Sequence, residues 1–360
     1  SSLLLWFWFC FLNNLVDSFP LKTVTKKYLG NYSKEELQAL VQETLEPFSQ
    51  NHKIPHIYIS EEAEPNASTM NTIFFSAWKP FNSVHISSGL LSILQPNELK
   101  AILLHELAHF FHYMWPLRRM DFFVYLFLGL LPAYLFLQFE ATSFFIFVLW
   151  GSAVYFCCLL TFGMALVPQS KDMEFLADLF SAKHSDKLSA VNSLLIMGKG
   201  SEAMERITRK FLLHLFATKD LPYDAIYEFD DLLAKFMPKK IVTAEEDAEI
   251  LTNIFNHKSI QKSRKKLTAE ETQKKKKGIK KELKEFSGKK KFRLLDWSTF
   301  ANASQDMRVN EYEYPQLIDA LHTHPQEQLF NLASDNPKAN KNEEHPTFTH
   351  RILFLEKNCS

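Results

Sequence analysis

The sequence predicts a mainly α-helical, membrane-embedded chain with a small β-sheet ahead of one motif-bearing helix, and three observations lead there. Between Asp121 and Lys171 the only charged residue is Glu140, so two long apolar runs stand side by side. Aromatic residues make up 14% of the chain, with 33 Phe, and Phe and Leu crowd into that central block. On either side, capping and turn signals mark out short β-rich runs and longer helical ones.

Taken in order, residues 1–19 read as a truncated membrane segment, because Leu3 to Leu12 is apolar over about half the length that a spanning helix requires. A signal peptide would want a basic start and a small-residue cleavage site, and neither precedes Pro20. Residues 20–120 form the first half of the main domain. Within it, Ser33 to Glu36 has the spacing of a capping box and opens a helix to about Ser49. Three β-rich runs, Pro55 to Ser60, Thr72 to Ser76 and Ser83 to Ser87, supply a small sheet, and a helix begins near Pro96 to Glu98.

Residues 121–168 are expected to be a transmembrane helical hairpin, Phe122 to Phe139 and Thr142 to Pro168, each long enough for a hydrocarbon core of about 30 Å. Arg118 and Arg119 before it and Lys171 after it put both outer ends in the cytoplasm by the positive-inside tendency. Residues 169–360 form the second half, helical by pattern from Lys171 to about Phe236. It contains a Lys-rich insertion at about 258–293, which reads as a solvated helix or disordered insertion or, secondarily, as a contact for anionic lipid headgroups.

Lys plus Arg equals Asp plus Glu at 41 each, so no global field points to nucleic acid, and no recognition module accompanies the basic run. Cys10, Cys157, Cys158 and Cys359 offer neither a disulfide framework nor paired metal hooks, as expected in a reducing compartment.

The chemistry concentrates at His105-Glu106-Leu107-Ala108-His109, inside the helical stretch Leu99 to Met114. Residues four apart share a helical face, so both imidazoles can bind one zinc ion while Glu106 addresses the water that completes its coordination. Zinc lowers the pKa of such a water toward about 7, and a neighbouring carboxylate can carry its proton to a leaving amine. A catalytic zinc takes three protein ligands, and Glu174, in Glu174-Phe175-Leu176-Ala177-Asp178, is the candidate third. Asp178, one turn on, is placed to orient a ligating imidazole through its second nitrogen. His52, His85, His112, His214, His322 and His324 lack such a spacing and stay unassigned.

The segments HISSGLLSIL, NELKAILLHELAH, EFLAD and HPTFTHRI, spread from about Tyr32 to Leu355, resemble the HtpX-like membrane zinc metallopeptidases, gluzincins related to the CAAX prenyl proteases. The resemblance implies a zincin-like domain with one Zn2+ per chain on His105, His109 and Glu174. It also implies a catalytic Glu106 and a supporting Asp178. It adds His345 and Arg351 as transition-state and substrate contacts, and it places Asn66 and Ala67 beside an edge strand where an extended substrate adds by β-pairing. This chain departs from the family in having Thr347 where a second Pro is common, and in its Lys-rich insertion.

The function expected on this basis is a zinc-dependent integral-membrane endopeptidase that cleaves membrane or misfolded proteins in quality control. Its partners would be a polypeptide substrate and the lipid bilayer, in a bacterial plasma membrane, with the active site facing the cytoplasm. A prenyl-protein endopeptidase is the alternative enzyme, although it would carry more spans. A catalytically inactive zinc-binding membrane scaffold is the non-enzyme alternative, although it would be expected to have lost Glu106 or a ligand.

Overall fold

A computed structural model describes residues 18–24, 26, 28–50, 54–71, 82–111, 171–217, 225–238, 240–257, 260, 293–300, 303–325, 327–332 and 346–359. These residues are mostly helical with one small sheet. Strand β1 (Ser18–Pro20) leads to the short hairpin of β2 (Tyr28–Leu29) and β3 (Tyr32–Ser33). Its two-residue turn starts with Gly30 at φ +63°, a conformation that L side chains resist. Helix α1 (Lys34–Leu45) follows, and the predicted capping box is formed: Ser33 Oγ accepts from Glu36 N–H while the Glu36 carboxylate accepts from Ser33 N–H. The α-helix stops before the predicted Ser49 because Pro47 has no N–H to donate, and the chain tightens into a 3-10 turn at Glu46–Phe48.

The sheet runs in the order β1-β4-β6-β5, with β4 (His56–Ser60) and β6 (Asn82–Ser87) parallel and both outer pairs antiparallel. Two of the three predicted strands are therefore present. The third, Thr72 to Ser76, lies outside the described residues, and a further strand, β5 (Ala67–Asn71), was not expected. Its composition is turn-like, but antiparallel pairing with β6 supplies the backbone partners that its propensity does not promise. Ile57, Ile59, Val84 and Ile86 point to one face and enter the main core. Thr69 pairs with Val84 across the strands and so faces the same way.

That face covers helix α2 (Pro96–Phe111), which carries the His-Glu motif. Leu99, Leu103, Leu104 and Leu107 are buried in the main core, as are Ala101 and Ala108, so the helix is enclosed on nearly every side. Its entry is pinned by distant groups. The carbonyls of residues 91–94 accept, in order, from Asn31 N–H, Asn31 Nδ2, Arg308 Nη2 and Tyr32 Oη. Arg308 also grips Glu98 with Nε at 2.6 Å and Nη2 at 2.9 Å, and Glu98 in turn accepts from Gln95 N–H. All four of these carbonyls are thereby satisfied, which fixes the entry to α2 before the motif begins.

Helix α3 (residues 171–184) packs beside α2 and gives way, at an Asp186 cap, to α4 (Lys187–Ala217). Helices α5 (Ala225–Phe236) and α6 (Asp247–Asn256) close over the far half of α4 in a separate apolar cluster around Phe211, Phe229 and Ile254. Helices α7 (Glu313–Thr323) and α8 (Phe348–Asn358) return to the main core.

The membrane-embedded class requires correction. Among the described residues no helix is long and apolar enough to cross a membrane. Helix α4, with 31 residues, has the length but not the composition, since Lys199, Glu202, Glu205, Arg206, Arg209 and Lys210 recur along it. The fold class supported is a mostly helical one with a small sheet. The expected hairpin at 121–168, residues 1–17 and nearly all of the Lys-rich run lie outside the described residues.

Candidate metal centre

Helix α2 presents His105 and His109 one turn apart, with their Nε2 atoms 3.1 Å from each other. Helix α3 brings Glu174 against both: Oε1 is 3.3 Å from His109 Nε2, and Oε2 is 3.5 Å from His105 Nε2. The inward face of α3 is set by Glu174, Ala177, Asp178 and Ser181, spaced three and four apart and all buried. Ser181 Oγ donates to Ala101 O at 2.7 Å and so fastens the two ligand-bearing helices together.

Three donor atoms, one from each of these residues, lie within 4.8 Å of one another. A tetrahedral zinc with bonds of about 2.0–2.1 Å has ligand-to-ligand edges of roughly 3.3–3.4 Å, close to the 3.1 Å between the two imidazole nitrogens and to the distance from each of them to its nearer Glu174 oxygen. Two imidazoles and one carboxylate is a donor set that suits zinc and leaves a fourth position open. Charge points the same way. Glu106, Glu174 and Asp178 face a single guanidinium, Arg351, leaving two negative charges when the imidazoles are neutral. A divalent cation cancels that excess.

The surroundings hold the ligands in place. Asp178 Oδ1 lies 2.9 Å from His105 Nδ1, which turns Nε2 toward Glu174. Arg351, on the first turn of α8, grips Asp178 with Nε at 2.7 Å and Nη2 at 2.6 Å, and its Nη1 lies 3.6 Å from Glu174 Oε2. Thr347 caps α8 by accepting from His350 N–H, so the residue that replaces the family's Pro has a structural use of its own. Burial disfavours a charged His105, but its hydrogen bonds and proximity to Asp178 and Glu174 outweigh this and raise its pKa to about 10. Burial likewise opposes a charged Asp178, and Arg351 more than compensates, holding the carboxyl below its usual range. The pocket thus favours positive charge at the point where the donors converge.

Of the residues singled out in the sequence, His105, His109, Glu174, Asp178 and Arg351 come together, and the Glu106 carboxylate acts electrostatically on Arg351. His345 lies outside the described residues. Asn66 and Ala67 stand at the start of β5, where Asn66 N–H donates to Ser87 Oγ and Asn66 O accepts from Ser87 N–H. Sequence reasoning missed Thr69, whose hydroxyl lies 2.8 Å from the Glu106 carboxylate, as well as Ser181 and Arg308. Thr69 becomes legible once β5 is recognised, because it shares with Ala67, two residues before it, the face that looks toward α2.

The profile of peptidase family M48 matches residues 31–222, more than half of the chain. A curated relative, the protease HtpX homolog of Thermoplasma acidophilum, is 34% identical over 88 residues. That stretch is 24% of this chain and 23% of the relative, so this chain spans about a quarter of that protein's length. No solved structure matches. With its paired histidines, the glutamate from the next helix and the family profile that runs through both, the chain belongs to peptidase family M48.

Proposed function

We propose that this protein is a zinc-dependent endopeptidase that hydrolyses extended, unfolded or misfolded polypeptides. The observation that carries the reading is the convergence of His105, His109 and Glu174, from two helices and with His109 and Glu174 65 positions apart in sequence, next to an Arg351 that also feels the Glu106 carboxylate. Zinc held by these residues supplies Lewis acidity toward a carbonyl and makes a water acidic enough to attack near neutral pH.

The remaining work falls to the chain's own groups. Glu106 takes the proton of the attacking water and returns it to the leaving amine. Asp178 orients His105, and Arg351 holds Asp178 in place, so Arg351 acts here first as a positioning residue, with Nη1 turned toward the ligand set. Strand β5 pairs on one side with β6, and among the described residues its other side has no strand partner. An extended peptide adding to that side would pass next to α2, which favours substrates whose backbone is free to become a strand.

The test compares wild type with Glu106→Gln, loaded with zinc, for metal content and for cleavage of casein. The expected result is one zinc per chain in both proteins and cleavage by wild type alone, with the variant reduced by at least about a thousandfold. Equal cleavage by both proteins would remove Glu106 as the base, and failure of wild type to bind zinc would remove the reading altogether.

A further inference from the structure

The Glu106 side chain has three rotatable bonds and sits in a buried position on α2, yet a general base must hold its carboxylate within hydrogen-bonding reach of one water. Neighbours on α2 cannot hold it, since helical side chains interact three and four residues away and His109, three on, is turned toward Glu174. Arg351 attracts the carboxylate electrostatically, and a direct hydrogen bond to it comes from the sheet. Thr69 Oγ lies 2.8 Å from Glu106 Oε2 and 2.9 Å from Glu106 O, so one hydroxyl touches both the carboxylate and the backbone of the same residue. As a β-branched residue in a strand, Thr69 has few rotamers to choose from, and the β5–β6 register sets the direction of its side chain.

We propose that Thr69 is a positioning residue for Glu106, and that the strand which receives the substrate also orients the base. The proposal rests on Glu106 acting as the base. A peptide that adds to β5 stiffens the strand carrying Thr69, so substrate binding and alignment of the carboxylate become one event. The hydroxyl, and not the bulk of the side chain, performs this task. Valine keeps the shape of threonine without its hydroxyl, and serine keeps the hydroxyl without the methyl group.

The zinc-loaded proteins Thr69→Val, Thr69→Ser and Glu106→Gln are compared with wild type for zinc content, kcat and KM on casein. The valine variant is expected to keep its zinc and its KM and to lose roughly tenfold or more in kcat, as a misplaced catalytic group does. The serine variant should stay near wild type. A valine variant as fast as wild type, or a serine variant as slow as valine, would overturn the proposal while leaving Glu106→Gln to judge the endopeptidase reading on its own. An activity-free measurement decides the contact directly. In the metal-free protein, denaturant unfolding of Thr69→Val, Glu106→Ala and the double variant should give non-additive costs. Additive costs would mean that the hydroxyl and Glu106 do not act on each other, and would sink the proposal whether or not the wild type cleaves.

Discussion

Asp178 and Asp247 are both buried aspartates that grip an arginine through both carboxylate oxygens, yet they serve different ends. Asp247 accepts from Arg206 Nε and Nη2 and from Lys210 Nζ, while Arg206 also donates to Val242 O. There the cations outnumber the acid, and the donors are spent on tying α6 and the chain before it to α4. Around Asp178 the acids outnumber the cation, and two imidazole nitrogens and a carboxylate point at a common centre. A buried acid whose cations reach water and whose oxygens are all taken up by their donors is a fastener, whereas a buried cluster left with excess negative charge and convergent donor atoms calls for a cation.

The largest expected effect separates the two clusters by metal content. His109→Ala and Glu174→Ala should each abolish stoichiometric zinc, while Asp247→Asn retains one zinc per chain, as measured by metal analysis after desalting. If Asp247→Asn also lost its metal, the two clusters would be one system and the comparison would fail.

A finer test is Asp178→Asn, which leaves all three ligands in place but weakens the orientation of His105. Zinc affinity in a competition titration should fall by about 10–100-fold. Stability should show the reverse emphasis for the second cluster: Asp247→Asn should cost on the order of 2–3 kcal/mol in denaturant unfolding, below the full cost of a broken buried pair because Arg206 and Lys210 keep partial access to water.

The same residue predicts a pH dependence. Burial opposes ionisation of Asp247, but hydrogen bonds from Arg206 and Lys210 prevail and lower its folded pKa below the ordinary 3.8. A depressed pKa contributes stability that is fully present above that unfolded value and is lost as the pH falls through the folded one. Acid unfolding of wild type should therefore steepen below about pH 4, and Asp247→Asn should flatten that limb. The smallest effect is expected from Ser181→Ala, which removes the bond to Ala101 O at a cost of about 1 kcal/mol and leaves zinc stoichiometry at one.

How much was legible in advance varies with the range of the interactions. The capping box at Ser33 and Glu36 was read correctly because all of its partners lie within four residues. The same holds for the shared face of His105 and His109, and the i to i+4 spacing of Glu174 and Asp178 exposed the second helix. Strand β5 was not read from the sequence because Ala67 to Asn71 has little β propensity, and its partner β6 begins eleven residues further on. The membrane-embedded class came from hydropathy in a stretch outside the described residues, and among the described residues no helix is long and apolar enough to support it.

The sequence alone determined which residues can bind a metal, because ligand chemistry and helical periodicity are properties of residue type and short spacing. Tertiary structure decided which of them meet. It set Glu174 against both imidazoles, passed Arg351 behind Asp178, and brought Thr69 from a sheet edge onto Glu106. Those contacts depend on how α2, α3, α8 and β5 pack around one core, and packing is a long-range property that no local pattern encodes.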